Sequence, residues 1–213
     1  MKITKFEHSC LLVEEGGVRL LTDPGSWNET PEVESLDAIL VTHEHADHMS
    51  VDQIRAVLEK NPNAKVITHT SAGKKLAEAG IAFEEIQEGG SIDIKGVSIE
   101  SFGSAHAVIY GASPCQNTGY LVAKRLFLPG DALHDVPPVQ VEILALPTGG
   151  PWMKFADAID YAKKLKPKAA FSIHDGMYKE AYRTSTIPFW IGTTLTEAGI
   201  EFRNMLPGAV EEF

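Results

Sequence analysis

The sequence predicts an α/β fold in which two packed, mixed β-sheets lie between outer helices, a four-layer αββα sandwich. Two observations lead to this prediction. Short strand-like runs dominate residues 3–21 and 82–128, and each of these regions is followed by an alternation of strands and helices. The runs 38–41 and 141–147 are continuously apolar, which is typical of strands buried on both faces. Two sheets packed face to face under outer helices would bury strands of this kind.

The individual elements follow from local signals along the chain. Strand-like runs lie at 3–6, 10–13, 18–21, 38–41, 64–70, 82–87, 91–94, 97–102, 118–123, 126–128, 141–147 and 168–173. The pair Gly16-Gly17 indicates a hairpin. Helices are predicted over 50–62, 71–80 and 153–165, and in a C-terminal region interrupted at Pro188. Ser50 and Ser71 are the predicted N-caps of the first two helices.

Composition and length indicate one soluble domain that spans residues 1–213. The hydrophobic fraction is 44% and the charged fraction 23%, and no apolar run reaches the roughly 18 residues of a membrane span. The start MKITKFEHSC lacks the features of a secretory signal. Cys10 and Cys115 are the two cysteines and lack metal-type spacing, which fits a reducing compartment. We therefore expect a cytoplasmic location.

The balance of acidic and basic residues indicates which class of partner the protein binds. The chain has 29 acidic and 19 basic residues and a formal net charge of −10, which repels phosphate backbones at long range. Its longest basic run, YAKKLKPK at 161–168, has the spacing of a solvated helix face. We therefore expect a small-molecule substrate rather than a nucleic acid. The apolar segment STIPFWIGTTL at 185–195 is compatible with a contact between two copies of the chain.

The chemistry concentrates in VTHEHADHM at 41–49, which holds three of the chain's eight histidines. His43 and His45 are two positions apart directly after a buried strand, so their imidazoles point the same way and can share one ion. Asp47 and His48 follow past a bend and can face a second ion. Imidazole with a few carboxylates suits zinc first, and manganese or iron next.

Further candidate ligands terminate other apolar runs. His106 follows the run at 97–102, Asp131 follows 126–128, and His174 follows 168–173. Polar residues at the ends of strands are the usual seat of an α/β site, so these three loops can converge at one edge of the sandwich.

These residues resemble the motifs of a known family. HEHADH at 43–48 matches the H-x-H-x-D-H signature of the metallo-β-lactamase superfamily. His106, Asp131 and His174 follow in the order of that family's later motifs, and the match extends from TDPG at 22–25 to HDG at 174–176. The superfamily's fold is the αββα sandwich.

The resemblance implies a dinuclear site with two divalent metal ions, zinc first and manganese or iron otherwise. One ion would be held by His43, His45 and His106. The other would be held by Asp47, His48 and His174, with Asp131 bridging the two. A metal-bound, bridging hydroxide would act as the nucleophile, so Asp47 and Asp131 are assigned catalytic roles. Glu44 is not an expected ligand.

The resemblance also suggests roles around the metals. Asp23 matches an early family position that supports the metal loop by hydrogen bonding, with a turn-forming role as the alternative. HSC at 8–10 in a compact chain resembles the branch that contains ascorbate-6-phosphate lactonase. His8 and His134 occupy places where that branch carries histidines. Both are predicted to contact substrate or to lie close to the metals, His134 also as a catalytic proton donor, and a structural role is the alternative. We favour a structural role for His69.

The predicted function is a metal-dependent hydrolase that cleaves a lactone, ester or phosphoester bond in a small metabolite. A phosphodiesterase or nuclease would share every ligand and differ in its pocket, although we find no insertion of the kind that RNA-processing nucleases carry. An iron-dependent oxidoreductase would require redox-active iron at the same site. A non-catalytic metal-binding module would have a closed coordination shell.

Overall fold

The chain folds into two seven-stranded mixed sheets with helices on both outer faces, which confirms the αββα sandwich; the computed structural model describes residues 1–213. The strands are β1 (Lys2–Lys5), β2 (Leu11–Glu15), β3 (Val18–Thr22), β4 (Ala38–Leu40), β5 (Lys65–Thr68), β6 (Glu84–Glu85), β7 (Ser91–Ile94), β8 (Val97–Phe102), β9 (Gly119–Val122), β10 (Leu126–Leu128), β11 (Ile143–Pro147), β12 (Ala169–Ile173), β13 (Glu201–Arg203) and β14 (Val210–Glu212). The helices are α1 (Val51–Lys60), α2 (Thr70–Glu78), α3 (Phe155–Leu165) and α4 (Thr193–Glu197), the last preceded by π-helical segments at Tyr182–Thr186 and Pro188–Gly192.

The two sheets follow the same plan, as the sequence layout suggested. The first has the order β14-β1-β2-β3-β4-β5-β6, and the second has the order β13-β12-β11-β10-β9-β8-β7. In each, antiparallel neighbours come first along the chain and parallel neighbours follow, except that the last strand, β14, pairs antiparallel with β1. The carboxyl ends of the parallel strands therefore lie at one edge of each sheet, where α/β sites form.

Three buried apolar layers hold the sandwich together. Side chains such as Leu20, Tyr120 and Phe171 fill the layer between the sheets. Val57 belongs to the layer under the helices of the first sheet, and Ile191 belongs to the corresponding layer of the second. Strands with an apolar layer on each side need apolar side chains at every position, which explains the continuous runs in the sequence. No helix is long and apolar enough to cross a lipid bilayer.

Local signals predicted most helix ends. The Ser50 side chain accepts a hydrogen bond from Gln53 N and caps α1, as expected. The predicted cap Ser71 is wrong, because α2 begins at Thr70 and the His69 side chain accepts from the amides of Ser71 and Ala72. An imidazole nitrogen can replace a hydroxyl oxygen as the acceptor for the free amides of a first turn. His69 thus has a structural role.

The C-terminal region also differs from the prediction. The helix passes through Pro188 without interruption, because Thr193 N donates to Pro188 O across five residues, and Ile187 N donates to Tyr182 O in the same way. The widened π-helical turns accommodate a residue that lacks an amide hydrogen. Strands β13 and β14 were not predicted, since both are short and carry charged residues.

Removal of a buried aromatic ring from the central layer is expected to destabilise the protein strongly. Phe171 on β12 is fully buried between the sheets, so Phe171→Ala should lower the free energy of unfolding by about 3–5 kcal/mol. Phe189→Ala is the matched control, because Phe189 is 63% exposed and its truncation should change stability by less than about 0.5 kcal/mol. Urea denaturation measures both; equal losses would contradict this assignment of the core.

Candidate metal centre

The fold brings the sequence-predicted ligands to one edge of the sandwich. The loop containing His43, His45 and His48 follows β4, and His174 directly follows β12. His106 lies after β8 and Asp131 lies after β10. Strands β8 and β10 both pair antiparallel with β9, so they run in the same direction and their loops emerge at the same edge. Loops from both sheets therefore meet at the centre.

The meeting side chains form two groups of potential metal ligands. Within each group, one nitrogen or oxygen of every residue lies within 4.8 Å of the others. The first group contains His43, His45, His106 and Asp131. The second group contains His8, Asp47, His48 and His174. All seven predicted ligands are thus brought together, and His8 joins the second group.

Asp131 connects the two groups. Its Oδ2 lies 2.9 Å from His174 Nε2 and 3.3 Å from His106 Nε2, and its Oδ1 lies 3.2 Å from His48 Nε2. The carboxylate is buried, and burial opposes its ionisation. The nearby His48 and His174 outweigh burial and hold the pKa of Asp131 well below its usual value. A carboxylate charge is therefore fixed between the groups.

The buried polar atoms of the centre lie close to one another but lack well-oriented hydrogen bonds. His48 Nε2, His106 Nε2 and His174 Nε2 form no hydrogen bond, and neither does Asp131 Oδ1. An unsatisfied buried polar atom costs about 1–3 kcal/mol, so four of them around one space are strongly unfavourable without a ligand. Imidazole nitrogens and carboxylate oxygens are the donor set for zinc, manganese or iron. The residues therefore fit divalent metal ions.

Asp23 orients the second group. Its Oδ2 lies 2.8 Å from His48 Nδ1, and it also accepts from the backbone amide and the hydroxyl of Thr42. Burial lowers the pKa of His48, but the carboxylates of Asp131 and Asp23 outweigh it and raise that pKa well above its usual value. Without metal, the His48 imidazole therefore stays in its cationic form, with a hydrogen on each ring nitrogen. The contact with Asp23 directs His48 Nε2 toward Asp131, which is the support that we predicted for Asp23.

His8 lies beside Asp47 in the second group. Burial lowers the pKa of His8 to about 4, so the imidazole is neutral at pH 7. Gly176 N donates to His8 Nδ1 at 3.1 Å, and the ring hydrogen of the neutral imidazole must therefore reside on Nε2. That nitrogen lies 3.2 Å from Asp47 Oδ2. In this tautomer Nε2 carries the ring hydrogen and offers no lone pair to a metal, and it faces Asp47 without a well-oriented hydrogen bond.

A buried ion pair between Lys5 and Asp175 links the segments that carry His8 and His174. Lys5 Nζ, fully buried, donates to Asp175 Oδ2 at 2.7 Å and to Ser172 O at 2.8 Å. Since Asp175 follows His174 and precedes Gly176, the pair fixes both the candidate ligand and the residue that sets the His8 tautomer.

Other predicted residues lie outside both groups. His134 is exposed and has Asp135 as its neighbouring carboxylate, with Nε2 at 3.6 Å from Asp135 Oδ1. The structure does not bring it into contact with the ligands, because the chain turns outward after Asp131. Glu44 points away as expected: its Oε1 contacts the Ser71 hydroxyl, and its Oε2 lies 3.7 Å from His69 Nε2.

Trp152 is a neighbour of the centre that sequence reasoning missed. Its Nε1 donates to Asp131 Oδ2 at 3.1 Å, and its ring lies 5.7 Å from that of His174 and 6.0 Å from that of His106. The available signal was the position of Gly149-Gly150-Pro151-Trp152, which follows strand β11 at the same edge. Trp152 thus fixes Oδ2 of the Asp131 carboxylate.

Two glycines allow loops to approach the ligands closely. A Cβ at Gly130 would lie 2.2 Å from Asn117 Oδ1, and its φ of +62° favours glycine. Asn117 Oδ1 accepts from Asp131 N, and its Nδ2 donates to Pro129 O. A Cβ at Gly25 would lie 1.8 Å from Asp47 O. Gly130 and Gly25 therefore let neighbouring loops approach the residues that carry or support the candidate ligands.

A cavity of about 220 Å³ opens beside the first group. His45 and His106 form its inner wall, and the loop 105–115 forms the rest. Cys115 lies in this wall. Burial, together with the nearby Glu44 carboxylate, raises the pKa of Cys115 to about 12, so its thiol is protonated at pH 7 and is not a nucleophile.

Comparison with known proteins identifies relatives over most of the chain. The model of a beta-lactamase superfamily domain matches residues 2–174. Protein Rv0786c of Mycobacterium tuberculosis is 38% identical over 184 residues, which cover 83% of this chain and 85% of that protein. A UPF0173 metal-dependent hydrolase of Thermoplasma volcanium is 30% identical over 189 residues and covers 82% of this chain and 83% of its own length.

A solved structure with low sequence identity has the same fold. Igni18, a metallo hydrolase from the archaeon Ignicoccus hospitalis, superposes with a TM-score of 0.76 at 20% identity. The superposition covers 100% of this chain and 98% of that protein. At this identity the likeness concerns the fold alone.

Metal binding to metal-free protein is expected to release protons. Because Asp131 and Asp23 raise the pKa of His48, this ring is protonated below that raised pKa and must lose its proton before Nε2 can bind an ion. Zinc affinity should therefore fall as pH falls, by about tenfold per pH unit for each proton released, and proton release should stop above the raised pKa. Calorimetry in two buffers of different ionisation enthalpy measures the number of protons released on zinc binding. Absence of proton release at pH 6–7 would contradict this protonation state.

Loss of the Asp23 carboxylate is expected to weaken metal binding. Asp23→Asn keeps the shape of the side chain but removes the charge beside His48 Nδ1, which should lower zinc affinity by about 10–100-fold. Competition with a chromophoric chelator measures the affinity. Asp135→Asn is the control, because Asp135 lies outside both groups. An equal effect in the two variants would show that Asp23 does not act through His48.

Proposed function

This chain belongs to the metallo-β-lactamase superfamily, and we propose that it is a metal-dependent hydrolase that cleaves an ester, lactone or phosphoester bond in a small molecule. The observation that carries the proposal is the pair of ligand groups joined by Asp131, with unpartnered nitrogens facing each other. The relative from Thermoplasma volcanium, itself a metal-dependent hydrolase, supports the same reaction class.

The first group would hold one divalent ion and the second group another. His43, His45 and His106 would bind the first, Asp47, His48 and His174 the second, and Asp131 both. Zinc is the metal that we propose, because imidazole and carboxylate suit it, and the absence of thiolate from both groups favours an open catalytic site over a closed structural one. When bound, such ions supply a water activated near neutral pH and polarise the oxygen of the group under attack.

The protein's own residues would prepare the centre for this chemistry. Trp152 and Asn117 hold the Asp131 side chain and backbone, so the shared carboxylate does not reorient. Fixed polar groups of this kind stabilise developing charge without reorganisation during the reaction.

Exposure indicates the side from which substrate would approach. His43, His48, His106 and His174 are buried, whereas His45 and Asp47 are partly exposed. The cavity lined by His45 and His106 opens on this side. A scissile bond can therefore reach the centre while the rest of the substrate lies against the loop 105–115. A cavity of this size favours a small molecule over a nucleic acid.

Hydrolysis is expected to depend on metal and on Asp131. Chelator-treated protein should be inactive toward an aryl lactone, aryl esters and bis(4-nitrophenyl) phosphate, and zinc should restore hydrolysis of at least one. Asp131→Ala should lower kcat/KM by at least about 100-fold and reduce the bound metal measured by mass spectrometry. Asp135→Asn should retain both. A metal-free protein that remains active would overturn the proposal, and activity restored by iron or manganese alone would overturn the choice of zinc.

A further inference from the structure

The size of the cavity beside the first ligand group limits which part of a substrate can bind there. Its volume of about 220 Å³ lies below the roughly 300–1,000 Å³ of sites for drug-sized ligands. Only a small part of a molecule can therefore enter it.

The lining of the cavity is mostly apolar, and its basic side chains are the imidazoles of His45 and His106 on the inner wall. Six of its ten lining residues are hydrophobic, among them Val108, Ile109 and Ala112. Val108 is 88% exposed, so a bound apolar group would cover surface that otherwise faces water. No lysine or arginine is present to pair with a phosphate or a carboxylate. Desolvation of an anion here would be unfavourable.

The cavity wall is anchored to the ligands. Ala107 N donates to Asp131 O at 2.8 Å, and His106 N donates to Cys115 O at 3.0 Å. These bonds join the start and the end of the loop 105–115 to the centre. A group bound against the loop is therefore placed at a fixed position relative to His45 and His106.

We infer that this cavity is an acyl pocket for a short, uncharged chain, so that the substrate is a neutral ester or lactone with a short aliphatic acyl part. The inference rests on the proposed hydrolase function and narrows its substrate class. Hydrolysis adds water across the acyl C–O bond: the carbonyl carbon gains a hydroxyl group, and the leaving oxygen takes the proton. The products are a short carboxylic acid and an alcohol, or one hydroxy acid from a lactone.

The test uses 4-nitrophenyl esters from acetate to decanoate with the zinc-loaded protein. Specificity, kcat/KM, should rise about threefold to fourfold with each added methylene, reach its maximum between butanoate and hexanoate, and then fall. The 4-nitrophenyl monoester of succinic acid, which has an anionic end at similar length, should react at least about tenfold more slowly than the pentanoate.

Two substitutions in the wall should move the optimum in opposite directions. Ala112→Phe fills the cavity and should shift the preference toward acetate, whereas Ile109→Ala enlarges it and should shift the preference toward longer chains. Ala77→Phe is the matched control, since Ala77 is an exposed residue of α2 outside the cavity, and its chain-length profile should match wild type.

Ligand binding provides a readout that does not depend on activity. 2-Hexanone, a neutral and uncleavable analogue, should bind metal-free wild type in saturation-transfer NMR and should not bind Ala112→Phe. Ester hydrolysis without chain-length dependence, or preference for the anionic succinate ester, would overturn the acyl pocket and leave the hydrolase proposal intact. Hydrolysis of the phosphodiester alone would overturn the ester assignment. Failure of 2-hexanone to bind would overturn the pocket even if no ester is hydrolysed.

Discussion

The structure depends on the electrostatic contacts of one buried carboxylate, that of Asp131. It faces imidazole nitrogens of His48, His106 and His174, and the indole of Trp152 donates to it. A buried charge without such partners would be strongly destabilising. The four loops that supply these partners are therefore constrained to one position, and the two sheets that carry the loops are constrained with them.

Support for the centre comes from outside the ligand set and from both sheets. Asp23, at the end of β3, orients His48 through Nδ1. Lys5, on β1, reaches across to Asp175 after β12 and fixes the loop of His174. Asn117 holds the backbone of Asp131 from the loop before β9. Each contact restrains a candidate ligand through a residue that lies outside both groups, which is how proteins set ring orientation and basicity at such sites.

The sequence predicted the sandwich because its buried strands are continuously apolar. It predicted the seven candidate ligands because four lie in one loop after a buried strand, three follow other strand-like runs, and all match the motifs of one family. The spacing of residues along the chain could not predict which side chains and amides orient the candidate ligands. The tautomer of His8 depends on Gly176 N, which is 168 positions away in the chain. Trp152 reaches Asp131 through a loop whose course is not encoded in any local pattern. His134 follows the Gly-Asp motif at the expected spacing, yet the turn after Asp131 directs it to solvent. The short charged strands β13 and β14 form only because neighbouring strands offer free edges.

The pairing of Lys5 with Asp175 has a consequence for the time course of folding. The two residues are separated by 170 positions, and the ligands between them come from nearly every part of the chain. Contacts of such long range form slowly, because the intervening loop must be closed before they contribute any energy. During synthesis the ribosome must release residues beyond His174 before the second ligand group exists. Metal uptake is therefore a late maturation event, and chains captured earlier would expose unpaired histidines to any available ion.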